Sequence, residues 1–188
     1  MTLREVEPPV WRRLEVPDAY TFWDLHVALQ DAMGWQDCHL HAFRIREPRI
    51  GASVEIGIPD EEGFGPAFLP GWEVPVLAYV REPGQHFEYE YDFGDGWVHD
   101  VVLEDIAPRK TGAKYPRCAA GGRACPPEDC GGPPGYELLL AALVDPGHPE
   151  HDDFRQWAPE DFDPARFDPA KVRFSSPKRR WQRAFGGR

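Results

Sequence analysis

The stretch FEYEYDFGDGWVHDVVLE, residues 87–104, limits what this chain can fold into more than any other. Aromatic or aliphatic residues alternate with polar ones on both sides of Gly94-Asp95-Gly96, the period-two pattern of a half-buried antiparallel hairpin. A two-residue loop would set Tyr91 opposite Asp100. A three-residue loop pairs Phe93 with Trp97, Tyr91 with His99, Tyr89 with Val101 and Phe87 with Leu103, which gathers the aromatic residues on one face and puts Gly96 at the left-handed position. The opposite face then carries Glu88, Glu90, Asp92, Asp100 and Glu104, with Glu90 across from Asp100. Like charges opposite each other cost up to about 1 kcal/mol, so this face needs solvent, arginine partners or a cation. An aromatic face of this size needs a second layer to cover it, and His99 lies within it.

Other elements are legible upstream. In TFWDLHVALQDAMGW, Thr21 is placed to cap a helix with Asp24 three residues on. Phe22, Leu25, Leu29, Ala32 and Met33 form one stripe, and Gly34 supplies the stop. LREVEPPVWRRLEVP reads as two extended pieces around Pro8-Pro9. HLHAFRI reads as a strand with His39, His41, Phe43 and Ile45 on one face, a spacing at which two histidines can share a metal. Residues 57–76 form a Gly/Pro-rich loop whose Phe64, Phe68 and Trp72 fold back onto the body. YELLLAALVDP is a short apolar helix stopped at Pro146, and the DPGHPEH segment brings His148 and His151 to the entrance of another helical turn. These elements predict an α+β domain over residues 1–170, an antiparallel sheet with the 87–104 hairpin packed against a few short helices.

Charge separates a second region. Of the chain's 188 residues, those from 171 to 188 hold seven basic groups and no acid, so the remaining 14 basic groups face all 32 acids. The body repels a phosphate backbone, and nucleic acid could be met only through this basic C-terminal tail, for which solvation or docking onto the body is the alternative. Nothing resembles a signal peptide or the roughly 18 apolar residues of a membrane span. These features point to the cytoplasm and to no membrane partner.

Three of the four cysteines, Cys118, Cys125 and Cys130, fall in the loop YPRCAAGGRACPPEDCGGPPG, residues 115–135. The loop has too little apolar content to pack as a strand or helix. Zinc held by these cysteines would fix it, with a further ligand from His99, His148, His151, Glu128 or Asp129. The spacing is not that of a standard zinc ribbon or finger, and thiols packed as small hydrophobes beneath a proline-stiffened loop are the alternative. Serine occurs only at Ser53, Ser175 and Ser176. None has the context of a catalytic nucleophile.

PPVWRR, GWQDCHLHAFRI, FEYEYDFGDGWVHDVVLE, CAAGGRACPPEDCGGPPGYELLLAAL and DPGHPEH occur in that order. Together they resemble the plasmid pRiA4b ORF-3-like family, also labelled the IS1096 element passenger TnpR family, over residues 2–170. The resemblance implies a single α+β domain in a mostly bacterial and archaeal family associated with plasmids and mobile elements. It fixes no activity, and the edge strand that usually precedes PPxWRR is either shortened here or cut by a late choice of start codon. Its signature positions include Tyr91, Asp92, Asp95, Trp97, His99, Glu128 and Asp129, loop-rich polar residues of the kind that carry binding. A serine recombinase, which the TnpR label suggests, needs a nucleophilic serine near the N-terminus and a basic domain. Neither is present.

Three functions follow. One is a binding or adaptor module that meets a protein or peptide through the hairpin and the CPPEDCGG loop, stabilised by zinc. Another is a metal-dependent hydrolase in which two or three of Cys118, Cys125, Cys130, His99 and His151 hold zinc with a position left open, and Glu128 or Asp129 is the general base. The last is a mobile-element accessory factor touching DNA through the tail.

Overall fold

The computed structural model describes residues 1–46, 51–60 and 68–186. Eight strands and four helices follow one another as β1 (Thr2–Leu3), β2 (Trp11–Glu15), α1 (Phe22–Met33), β3 (His41–Arg46), β4 (Ser53–Gly57), β5 (Leu69–Pro70), β6 (His86–Tyr91), β7 (Trp97–Val102), β8 (Arg117–Gly122), α2 (Gly132–Val144), α3 (His151–Trp157) and α4 (Pro177–Phe185), with short 3₁₀ turns at Val76–Ala78 and Pro169–Lys171. The strands make one sheet in the order β5-β4-β3-β6-β7-β1-β2-β8. All neighbours are antiparallel except β4 and β5. The fold is therefore α+β.

The N-terminal strand is not at an edge: β1 lies between β7 and β2, and the edges are β5 and β8. α1 forms as its residues dictate. Thr21 Oγ1 accepts from Asp24 N, the Asp24 carboxylate accepts from Thr21 N, and Gly34 closes the helix at φ 93°. Its apolar stripe covers the aromatic face of the sheet, with Phe22 packed at 5.0 Å on Phe43 and 6.4 Å from Phe87. Arg12 of the PPVWRR motif is 1 % exposed and holds α1 to the sheet. Its Nε donates to Ala32 O at the end of the helix, its Nη1 to Trp11 O and Gly122 O, and Phe167 stacks on its guanidinium.

Three expectations about local structure need correction. The hairpin closes on Tyr91 opposite Trp97, with Tyr89 facing His99 and Phe87 facing Val101, so its loop has five residues rather than three. The cause is Asp92. It takes a left-handed backbone (φ 54°), its Oδ1 accepts from Gly94 N and Asp95 N, and its carbonyl accepts from Gly96 N, which ends the strand at Tyr91, two residues before Phe93. Phe93 is left 41 % exposed. Because the register differs by two residues, every side chain keeps its face.

The loop around Cys118 does contain a strand, β8, paired with β2. Its small residues fit what lies over them: a Cβ on Gly121 would come within 2.4 Å of the Phe167 ring. α2 also begins earlier than the apolar run suggests, since Pro133 and Pro134 occupy its first turn. Phe64 lies outside the described residues, whereas Phe68 packs 6.4 Å from Phe93 and Trp72 meets Trp181 and Phe185 of α4.

Candidate metal centre

The acidic face of the sheet is balanced by arginine. Glu88 and Asp100 face each other across β6 and β7, and Arg4 bridges them at 2.5 Å to each. Arg44 binds Glu55 at 2.9 Å and also Glu90, and Arg13 binds Glu104 at 2.7 Å. Arg4 holds the Asp100 carboxyl below its ordinary value. Asp92, expected in this row, is instead at the hairpin tip.

At that tip three segments converge. The CPPEDCGG loop is tied to the hairpin by Trp35, which stacks on Tyr91 at 4.9 Å and donates from Nε1 to Pro126 O. Asp95 Oδ2 accepts from Gly131 N, and Gly132 sits so close that a Cβ there would be 2.3 Å from Asp95 O. The loop thereby delivers Glu128 and Asp129 beside the Cys38-His39 segment. Glu128 Oε1 accepts from Gln36 N at 2.6 Å and from the Tyr91 hydroxyl at 3.2 Å, and that hydroxyl also accepts from Cys38 N.

His39 is the centre of the arrangement. Its Nε2 lies 2.9 Å from Asp129 Oδ1, 3.5 Å from Asp92 Oδ2 and 4.0 Å from Glu128 Oε2. This nitrogen is shielded from solvent yet makes no well-aligned hydrogen bond to any of them. Cys38, His39 and Glu128 bring one donor atom each within 4.8 Å of one another, and His39, Asp92 and Asp129 form an overlapping set. Asp92 and Asp129 both hold left-handed backbone, at φ 54° and 56°. Among the described residues no lysine or arginine pairs with Asp92, Glu128 or Asp129. Burial pushes the Glu128 carboxyl up, against the backbone hydrogen bond from Gln36. Burial likewise pushes the Cys38 thiol up, with the Tyr91 hydroxyl working against it and the charges of Glu128 and Asp129 adding to it. A divalent cation would reverse both effects, and Cys sulfur, His nitrogen and Glu oxygen are a donor set that zinc accepts.

The metal ligands expected from the sequence are mostly elsewhere. No three of Cys118, Cys125, Cys130, His99 and His151 bring donor atoms together within that distance among the described residues. Cys125 and Cys130 pack against the core as small apolar groups, with burial pushing the Cys125 thiol well up and the Cys130 thiol up to about 12. Cys118 Sγ bonds Ala120 O. His151 Nδ1 meets Ala142 O at 2.7 Å, which joins α3 to α2. His99 does not reach the cysteine loop: its Nδ1 donates to Tyr89 O and Trp97 O within the hairpin, Trp35 packs on its edge, and burial lowers its pKa to about 4. Trp97, 1 % exposed, belongs to the core. His41 does not share a ligand site with His39, because it turns inward and stacks on His26 at 3.5 Å. Of the donor atoms in this cluster, that of Cys38 has the weakest sequence signal, since it stands alone in sequence. The GWQDCHLH motif beside His39 was the only signal.

A family model described as plasmid pRiA4b ORF-3-like protein matches residues 1–171. The chain belongs to the plasmid pRiA4b ORF-3-like family. It is 42 % identical over 168 residues to the uncharacterized protein y4hQ of Sinorhizobium fredii, covering 88 % of this chain and 82 % of that one. A crystal structure of a protein of unknown function from Methanosarcina mazei Go1, MM3350, superposes with a TM-score of 0.81 at 40 % identity, over 92 % of this chain and 94 % of that one. All the residues of the hairpin tip lie within the family match, which ends before α4. No described helix is long and apolar enough to cross a membrane.

Proposed function

We propose that the protein is a binding module whose recognition surface, the hairpin tip with the CPPEDCGG loop, is organised around one divalent cation of the zinc class. Cys38, His39 and Glu128 are the ligands, and Asp92 and Asp129 are carboxylates that orient or supplement them. The observation that carries this reading is the solvent-shielded His39 Nε2, which faces three carboxylates without a well-aligned hydrogen bond. Protein purified without a histidine tag tests it by elemental analysis and by competition with a chelating dye. About one zinc per chain is expected, and cobalt substitution should give a thiolate charge-transfer band that Cys38→Ala removes. Failure to retain zinc at micromolar free metal sinks the reading.

One observation favours a second reading, a metal-dependent hydrolase. Cys38 and His39 line a groove of about 370 Å³ with Trp23, Leu40, Ile58 and Phe185, so a cation with three protein ligands would face it with a position open. Asp129 would then act as general base. Zinc-dependent hydrolysis of an ester, phosphoester or peptide panel that Asp129→Asn abolishes without loss of zinc would select this reading over simple recognition.

A further inference from the structure

The basic C-terminal segment folds back onto the body. α4 lies across α1, where Arg180 Nη2 binds Asp31 Oδ1 at 2.5 Å and Arg180 Nη1 approaches Asp37 Oδ2 at 3.4 Å. Asp31 also accepts from the backbone and hydroxyl of Ser175, and Trp23 Nε1 donates to Pro177 O. Phe185 packs on Trp23 at 5.7 Å and on Trp72 at 5.5 Å, with Trp181 6.3 Å from Trp72.

We infer that the face beneath α4, formed by Trp23, Asp31, Asp37 and Trp72, is an interaction surface for a basic amphipathic helix of another protein that presents one arginine and two aromatic residues, and that α4 is its resident occupant.

Four observations carry this. The face lies within the family match and the occupant outside it, since the match ends at residue 171 and α4 begins at Pro177. The acidic cradle belongs to the body: Asp31 lies on α1, and Asp37 Oδ1 is held at 2.7 Å by His26, which is fully buried. Two carboxylates this close need a guanidinium, whose planar fork suits them better than an ammonium. α4 itself is a light occupant. It has nine residues, none of them buried, shorter than a helix that persists alone in water, so it is helical because the face holds it.

The fourth observation is the imperfect fit. Trp181 Nε1 is shielded from solvent with no hydrogen-bond partner, a defect that an incoming helix with phenylalanine at this position would not carry. Lys178, Arg179 and Arg183 are exposed against a body in which acids outnumber bases, so charge attraction that is general to basic helices supplements the specific Arg180 contact. No proposed metal ligand belongs to the cradle, but Asp37 adjoins Cys38 and shares one groove with Cys38, His39, Trp23 and Phe185, so the peptide measurements below are made on the metal-free chain.

The test uses the full chain and a labelled peptide of residues 174–186 as the probe helix. Arg180→Glu places a third carboxylate in the cradle and should undock α4, so this variant is expected to bind the peptide at least about tenfold more tightly than the wild type, whose face is occupied. Binding should weaken as salt rises and should disappear when Asp31→Asn and Asp37→Asn are added. Phe185→Ala provides a second way to undock α4 should Arg180→Glu fold poorly, and far-UV circular dichroism with a cooperative melt checks each variant. A folded, undocked variant that binds no peptide overturns the proposal. So does equal binding by the wild type, or binding that survives loss of both carboxylates. A wild-type chain that dimerises with rising concentration through exchange of α4 overturns it in favour of a second copy as the partner.

Discussion

The sheet face and the hairpin tip are both rich in carboxylates, yet they are built on opposite principles. On the face, Glu55, Glu88, Glu90, Asp100 and Glu104 each have an arginine, so their charge is neutralised within the body. At the tip, the one basic side chain within ion-pair distance of Asp92, Glu128 and Asp129 among the described residues is the imidazole of His39. Carboxylates that are paired serve the fold, whereas a set left short of positive charge is where the proposed cation would act.

The sharpest way to break this contrast is to remove ligands. Cys38→Ala and His39→Ala should each weaken zinc binding by about 100-fold or more, read by chelator competition, while Arg44→Ala should leave zinc affinity unchanged. Equal effects from both regions would erase the distinction. Next in size is Arg44→Ala itself, expected to cost about 1 kcal/mol in chemical denaturation, because Glu90 and Glu55 lose their shared partner. Arg4→Ala, on a more exposed pair, should cost about 0.5 kcal/mol or less.

The subtlest prediction concerns pH, where the two regions should have opposite signs. Asp100 is held below its ordinary value by Arg4, so its stabilising contribution is present above the unfolded pKa, about 3.9, and is lost as pH falls through the folded value. Glu128 is pushed up by burial, so its contribution is full below the unfolded pKa, about 4.3, and is lost as pH rises through the folded value. Glu128→Gln should therefore stabilise the metal-free protein at neutral pH, lose that advantage in acid, and still bind zinc poorly. A metal-free Gln variant that melts below the wild type at pH 7 would contradict the account.

Burial of histidine adds a separate acid sensitivity in the core. His99 is lowered to about 4, and His26 and His41 are lowered as well, each by desolvation first. Neutral buried imidazole contributes stability above the unfolded pKa, about 6.5, and loses it as pH falls toward the folded values. His99→Phe should remove about one proton from the pH slope of unfolding.

Much of the scaffold was readable because its signals are local. The Thr21 cap, the α1 stripe and the alternation of residues 87–104 each specify geometry within a few residues, and parity survived even where the register slipped, since a shift of two residues returns each side chain to its own face. The hairpin's loop length was not readable, because it turned on one Asp92 side chain bonding to its own turn. β8 was hidden because its glycines make sense only once Trp11 and Phe167 lie over them.

The candidate site was only partly legible for the same reason. Glu128, Asp129 and Asp92 carried their own motif signals. The cysteines nearest one another in sequence drew attention to the 115–135 loop, although burial there keeps Cys125 and Cys130 as protonated packing groups. The sequence by itself determined an aromatic-faced hairpin, a capped amphipathic helix and an acidic body with a basic end. Only the tertiary structure decided that Cys38 and His39 meet Glu128 and that the basic end lies on Asp31 and Asp37, because donor atoms far apart along the chain are set by packing and by no local rule.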